Sequence, residues 1–274
     1  MTIINFTSEF NYFISSRKTI LRSSNWCIIK YNKGYLCNLR LRSDNITFNK
    51  LLFLDNSFNI INEKIIIPRK IDINELFVGI EDIRLFEFNN EIHYIGSVYH
   101  NNFIKITAGI FDLNEYTLNI IEPKFFTPNT KEKNWCYFNY KNKLSLVYQW
   151  NPLYICEIKG NELVLQKQIY NVPEFFKSIR GSTSGIHYNN EIWFLVHLTL
   201  TPPHFVRSYI HLLLVFDLNM KFLRYSDIFR FENELREFCL GMLISNDTIT
   251  FSYSLYITPY SSRMNSFHYA SFSY

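Results

Sequence analysis

Residues 136–150, CYFNYKNKLSLVYQW, read as two runs of alternating apolar and polar residues joined at Lys141-Asn142. A period of two puts successive side chains on opposite faces of an extended chain, and Asn tolerates the positive φ that a tight turn demands. The stretch is therefore a β-hairpin. Residues 27–42 (CIIKYNKGYLCNLRLR), 84–99 (RLFEFNNEIHYIGSVY), 184–198 (SGIHYNNEIWFLVHL) and 240–254 (LGMLISNDTITFSYS) are built the same way. Their turns, near Asn32, Asn90, Asn142, Asn190 and Asn246, recur about every 50 residues. A second series lies between them, at residues 51–61, 109–121, 154–169 and 213–225, turning near Asn56, Asn114, Asn161 and Asn219. Two hairpins per unit make four strands, and about five such units predict an all-β fold: one five-bladed β-propeller domain over residues 1–274 with four-stranded blades. The fifth unit is short of strands. The strand-like ends, FNYFISS (10–16) and FHYASFSY (267–274), are expected to supply them and close the ring. NELREF (233–238) is the only short helical candidate.

The composition, 47% hydrophobic and 18% aromatic, excludes disorder. Charged residues make up 19% and the formal charge of +4 is spread along the chain, which predicts neither a nucleic-acid tract nor a membrane-binding stripe. The apolar runs are strand-sized, so no membrane insertion is expected. Cys27, Cys37, Cys136, Cys156 and Cys239 are odd in number and show no CxxC spacing, which disfavours a disulfide framework and a zinc site. A soluble, cytoplasmic protein follows as the expectation, with the sequons at Asn5, Asn45 and Asn246 unused. HExxH, P-loop and GxGxxG motifs are absent, and neither a metal nor a cofactor is expected.

In a propeller, the residues just before each first hairpin enter the innermost strand, where the blades converge. Here those residues are Asn25-Trp26, Glu81-Asp82-Ile83-Arg84, Lys133-Asn134-Trp135, Arg180-Gly181-Ser182-Thr183 and Arg236-Glu237. The hairpins return with Arg40, Gln149, His197 and Tyr253, among others. The two Asn-Trp-Cys tripeptides thus mark equivalent places in two blades. Together the segments describe a polar, aromatic funnel. Carboxylates, Asn and Arg hydrogen-bond sugar hydroxyls, while Trp and Tyr cover the C–H faces of a pyranose. Asn25, Trp26, Arg40, Glu81, Arg84, Asn134, Trp135, Gln149 and Tyr253 are the candidate sugar-binding residues. Inter-blade packing is the competing role for the tryptophans.

The segment GIEDIRLF (79–86) resembles the Glu-Asp-Pro-Arg signature of the β-mannoside phosphorylases and their relatives, the β-1,2-mannosyltransferases. EKNWCYF (132–138) and RGSTSGI (180–186) are similar to the Lys-Asn-Trp and Arg-Gly motifs of that group, and the likeness runs in order from about Asn25 to Tyr253. Ile83 stands where the group has proline. The resemblance implies a five-bladed propeller whose catalytic acid is Asp82, protonating the leaving oxygen through a sugar hydroxyl. It further implies inverting glycosyl transfer, of a β-mannosyl unit, to or from a phosphorylated donor, with a glycan acceptor.

A phosphorylated donor requires cations around an oxyanion. Lys133, Arg180 and His197 are the candidate phosphate ligands near the axis, with Tyr209 and His211 as a further set. Gly181 beside Arg180 is expected to let the oxyanion approach the backbone. Two alternatives stay open: an inverting hydrolase, with Glu237 as a second carboxylate that activates water, and a non-catalytic glycan-binding propeller.

Overall fold

A computed structural model of the chain describes residues 3–4, 7–9, 22–43, 46–66, 79–100, 102–113, 119–123, 131–200, 208–234, 236–245, 248–256 and 267–273. Two short strands come first, β1 (Ile3–Ile4) and β2 (Thr7–Glu9). Five antiparallel groups follow in chain order. The first is β3 (Arg22–Tyr31), β4 (Gly34–Ser43), β5 (Ile46–Leu54) and β6 (Ile60–Ile66). The second is β7 (Glu81–Phe88), β8 (Glu91–His100), β9 (Phe103–Ile110) and β10 (Ile120–Pro123). The third is β11 (Cys136–Tyr140), β12 (Lys143–Trp150), β13 (Leu153–Lys159) and β14 (Glu162–Ile169). The fourth holds β15 (Ile179–Gly181), β16 (Ile186–Tyr188), β17 (Glu191–Leu200), β18 (Ser208–Asp217) and β19 (Phe222–Ser226), the two short strands both pairing with β17. The fifth is β20 (Arg236–Ser245), β21 (Thr248–Tyr256) and β22 (Phe267–Ser273).

The turns explain the hairpins. Asn89 and Asn90, Lys141 and Asn142, and Asn189 and Asn190 all carry positive φ as adjacent pairs. That is the backbone of a two-residue turn whose twist matches the strands it joins. In two of the outer hairpins an aspartate does the work instead, and between β13 and β14 Gly160 takes the positive φ. Asp55 Oδ1 accepts from the N–H groups of Ser57 and Asn59, and Asp217 Oδ1 accepts from those of Asn219 and Lys221.

β2 pairs antiparallel with β22, Thr7 opposite Ser273, and so supplies the fourth strand of the fifth group. The pairing segment is Thr7–Glu9; residues 10–16, expected in that role, lie outside the described residues. β1 adds a parallel strand to the outer edge of β19, and β10 pairs in parallel with β14. This last pair merges the second and third groups into one eight-stranded sheet, where separate four-stranded sheets were expected. Both additions cover strand edges that would otherwise present unpaired N–H and C=O groups. Within the expected helix at residues 233–238, β20 begins at Arg236; among the described residues the helical turn is Glu174–Lys177, whose Phe176 is buried.

Neighbouring groups touch through β3 and β7, β7 and β11, β12 and β15, β18 and β20, and β20 and β3. The core lies between neighbouring sheets. Phe138, Val147 and Trp150 of the third group meet Phe194, Leu214 and Phe216 of the fourth, and Trp193 and Val215 of the fourth meet Met242 and Phe251 of the fifth. At about 25 cal/mol per Å² of apolar surface, such sheet-on-sheet burial is the main stabilising term.

Candidate functional site

Five entry segments converge on one cavity of about 1270 Å³, lined by residues from every group. The backbone at its floor is shaped by a repeated feature. Asn25, Asp82 and Asn134 occupy equivalent positions and have φ of 49°, 53° and 65°. Asn and Asp are the non-glycine residues that tolerate this left-handed region best. At Asn25 and at Asp82 the ladder to the next strand shifts register, so a bulge turns the side chain toward the axis. The following residue, Trp26, Ile83 or Trp135, is driven into the core. This accounts for the repeated Asn-Trp-Cys tripeptide. Ile83 fills the same buried position as the two tryptophans.

Asp82 is held by two neighbours on one oxygen. Asn25 Nδ2 donates to Oδ1 at 2.6 Å and Arg40 donates at 2.9 Å. Ser254 Oγ in turn donates to Asn25 Oδ1 at 2.8 Å, which fixes the amide orientation. Oδ2 has no hydrogen-bond partner among the described residues. Among the described residues, six cationic side chains line the cavity, Arg40, Lys131, Lys133, Lys177, Arg180 and Arg236, against two carboxylates, Asp82 and Glu132. Glu132 is buried, and its Oε1 accepts from the Tyr148 hydroxyl at 3.0 Å.

Of the sequence candidates, Asn25, Arg40, Asp82, Lys133, Asn134, Trp135, Gln149, Arg180, His197 and Tyr209 line this cavity. The others do not. Trp26 is a packing residue, 4% exposed, whose indole N–H donates to the Tyr253 carbonyl across two groups at 2.9 Å. Tyr253 is buried against Phe231, ring on ring at 4.1 Å, with its hydroxyl donating to Glu232. Glu81 lies outside the lining and its carboxylate sits 3.6 Å from Arg40. Trp135, though at the wall, is 1% exposed and offers no free ring face.

Arg84 was expected to face the sugar; the bulge at Asp82 turns it away. Its buried guanidinium donates to the carbonyls of Ser182 (2.6 Å), Asp82 (3.2 Å) and Gly181 (3.3 Å), and to Asn134 Oδ1 (3.4 Å). It ties the second, third and fourth groups together.

The two histidines are not cations. Burial pushes His197 well below its ordinary value, and the nearby His211, Arg84, Arg180 and Lys133 push the same way. His211 is fully buried outside the cavity, pairs through Nε2 with the Glu237 carbonyl, and is lowered by burial to about 4. Glu237, the candidate water-activating carboxylate, is also buried outside the cavity. Its oxygens accept from the N–H groups of Phe231, Glu232 and Glu234, so it staples a loop. Burial, ahead of those hydrogen bonds, raises its pKa.

Gly181 serves packing. A Cβ there would collide with Cys136 Sγ and come within 2.6 Å of the Asn134 carbonyl, so the space is taken by β11 and not left for an oxyanion. Ser182 and Thr183, expected to face the channel, are buried, bonded to His197 and to the Leu195 N–H respectively.

Arg236, named in the fifth entry segment, does line the cavity, while Glu237 beside it faces the other way, as alternation on a strand requires. Sequence reasoning missed Lys131, Glu132 and Lys177. Lys177 arrives on the helical turn, which carries no such signal. Among the described residues no cluster of His, Cys, Asp and Glu is arranged to hold a metal ion, and no helix is long and apolar enough to cross a membrane.

No family model matches the chain, and no curated protein does. Solved structures do. A putative glycoside hydrolase from Parabacteroides distasonis superposes with a TM-score of 0.68 at 13% identity, covering 92% of this chain and 87% of that one. The β-1,2-mannobiose phosphorylase from Listeria innocua, in complex with β-1,2-mannobiose, gives 0.66 at 12% identity over 96% of both chains. A thermostable family-43 glycoside hydrolase gives 0.56 at 12% identity over 93% and 91%. The chain thus has the all-β fold of the five-bladed propeller glycosidases, the fold shared by mannoside phosphorylases and family-43 hydrolases.

Proposed function

We propose that this chain is a single-domain, closed five-bladed propeller that catalyses inverting glycosyl transfer to or from a phosphorylated sugar donor, with a mannosyl unit and a glycan acceptor as the substrates. The observation that carries this reading is the charge of the cavity, six cations against two carboxylates among the described residues. An anionic leaving group or nucleophile is stabilised by such a lining, whereas hydrolysis of a neutral glycan has no use for it. Loss of Glu237 from the site removes the expected water-activating partner of a hydrolase.

Asp82 is the general acid. With Asn25 and Arg40 both spent on Oδ1, Oδ2 is the oxygen free to carry a proton into the cavity and to hand it to the leaving oxygen, directly or through a sugar hydroxyl. Arg40 holds the carboxyl in place, and Arg180, Lys133 and Arg236 supply positive charge for the phosphoryl group. The five cysteines, all free and buried, suit a reducing, cytoplasmic setting.

A donor screen tests the proposal: mannose 1-phosphate and GDP-mannose, each with manno-oligosaccharide acceptors, with phosphate or GDP release as the readout. Release that depends on acceptor supports it. Release of free mannose from manno-oligosaccharides, with no dependence on a phosphorylated donor, would favour the hydrolase, with Glu132 as the remaining carboxylate able to activate water. Glycan binding without turnover of any donor would favour the non-catalytic propeller.

A further inference from the structure

Glu132 is the cavity carboxylate with no part in the acid step, and the fold fixes it firmly. Lys131 bridges in parallel to Ile104 at the start of β9, and the Glu132 N–H donates to the Ile104 carbonyl at 2.9 Å. Its partner Tyr148 comes from β12, where the ladder to β13 shifts register between Val147 and Gln149. Tyr148 is the extra residue of that bulge, and a bulge re-aims a side chain. Its ring rests on Trp135, centroids 5.1 Å apart, and its hydroxyl donates to Glu132 Oε1 at 3.0 Å. Both residues line the cavity.

The phenol has one proton, and Glu132 receives it. A carboxylate has about four lone-pair sites and a phenol oxygen has lone pairs of its own, so the pair offers hydrogen-bond acceptors where Lys and Arg offer only donors. A phosphoryl oxygen is an acceptor with the same sign of charge as a carboxylate and is turned away from this wall. A sugar hydroxyl can donate, and fits. With Glu132 3% and Tyr148 9% exposed, the opening suits a single hydrogen bond and not a stacked ring.

The cavity volume, about 1270 Å³, exceeds the roughly 300–1,000 Å³ of a site for one small ligand, so donor and acceptor can lie in it together. Asp82 and the residues that fix it, Asn25, Arg40 and Ser254, belong to the second, first and fifth groups. Tyr148 belongs to the third. We propose that Tyr148 and Glu132 are specificity-determining contacts for the acceptor glycan: together they accept a hydrogen bond from one of its hydroxyls and keep the phosphorylated end of the donor off this wall.

This inference rests on the glycosyl-transfer reading, and its test needs no phosphorylated donor. Calorimetry of the full chain with manno-oligosaccharides, and with analogues lacking one hydroxyl each, measures the contact in the wild type, Tyr148→Phe and Glu132→Gln. In the wild type the loss of one particular hydroxyl is expected to weaken binding about tenfold. Tyr148→Phe is expected to weaken binding of the intact glycan by about as much and to bind that deoxy analogue no worse than the intact glycan. A residue that only packs would weaken both alike. Glu132→Gln, which keeps an acceptor oxygen, is expected to lose less, and a thermal melt of each variant shows which of the two is folded for the comparison. Inorganic phosphate is expected to bind both variants at least as well as the wild type. A loss shared equally by every deoxy analogue in wild type and variants would overturn the proposal, as would weaker phosphate binding in Glu132→Gln or no glycan binding by the wild type. Phosphate or GDP release, measured separately, speaks to the donor and not to this contact.

Discussion

At the residue scale the site turns on backbone conformation before chemistry. Asp82 sits at φ 53°, and only Asn, Asp and Gly accept that region cheaply. Asp82→Asn keeps both the conformation and an acceptor for Asn25 and Arg40, but places an amide where the acidic proton must be. Turnover is expected to fall by about 100-fold or more, with little change in melting temperature. Steady-state rates with the best donor, beside a thermal melt, check this; a variant that retains turnover would remove Asp82 from the mechanism. The same logic explains why Arg84 is a scaffold residue. It shares a sequence motif with Asp82, but the intervening bulge sends its guanidinium to the carbonyls of Ser182 and Gly181.

At the scale of the element, close approach between inner strands fixes residue choice. β15 runs so near β11 that Gly181 has no room for a methyl group against Cys136 Sγ and the Asn134 carbonyl. Gly181→Ala is expected to destabilise the fold by about 1–3 kcal/mol, the usual cost of overpacking. Denaturant unfolding measures it. If Gly181 instead made space for an oxyanion, the variant would unfold like the wild type and lose only phosphate affinity. Edge pairing belongs to this scale as well. Deleting residues 1–9 removes β1 and β2, exposing the edges of β19 and β22, and is expected to lower the melting temperature and promote aggregation. An unchanged melt would show that these pairings contribute little.

For the whole molecule, buried histidines couple stability to pH. His211 is held at about 4 by burial against an ordinary value of 6.5. Between those values the unfolded chain binds a proton that the folded chain refuses, so stability rises with pH across that window. The contribution is present in full above pH 6.5 and is lost as pH falls to about 4. Its size is on the order of 3 kcal/mol. Melting temperatures between pH 4 and 8 for the wild type and His211→Gln test this, since the variant should show the shallower slope. Equal slopes would assign the acid sensitivity to other groups, His197 first among them.

The strands and their order were legible in the sequence because both are local. Alternation sets which residues are extended, and Asn pairs such as Asn89-Asn90 and Asn189-Asn190 set the turns by their own tolerance of positive φ. The repeat of about 50 residues located the inner strand of each group, and with it ten of the residues that line the cavity. What only the tertiary structure decided is which face each side chain takes at a strand entry. Bulges at Asn25 and Asp82 set the faces of Trp26 and Arg84, and packing took Tyr253, His211 and Glu237 to the core while Lys131 and Glu132 came to the cavity. The ionic state of the site was equally out of reach. His197 is a candidate cation by residue type, and it is burial beside Arg84, Arg180 and Lys133, groups up to 113 positions away in the chain, that keeps it neutral.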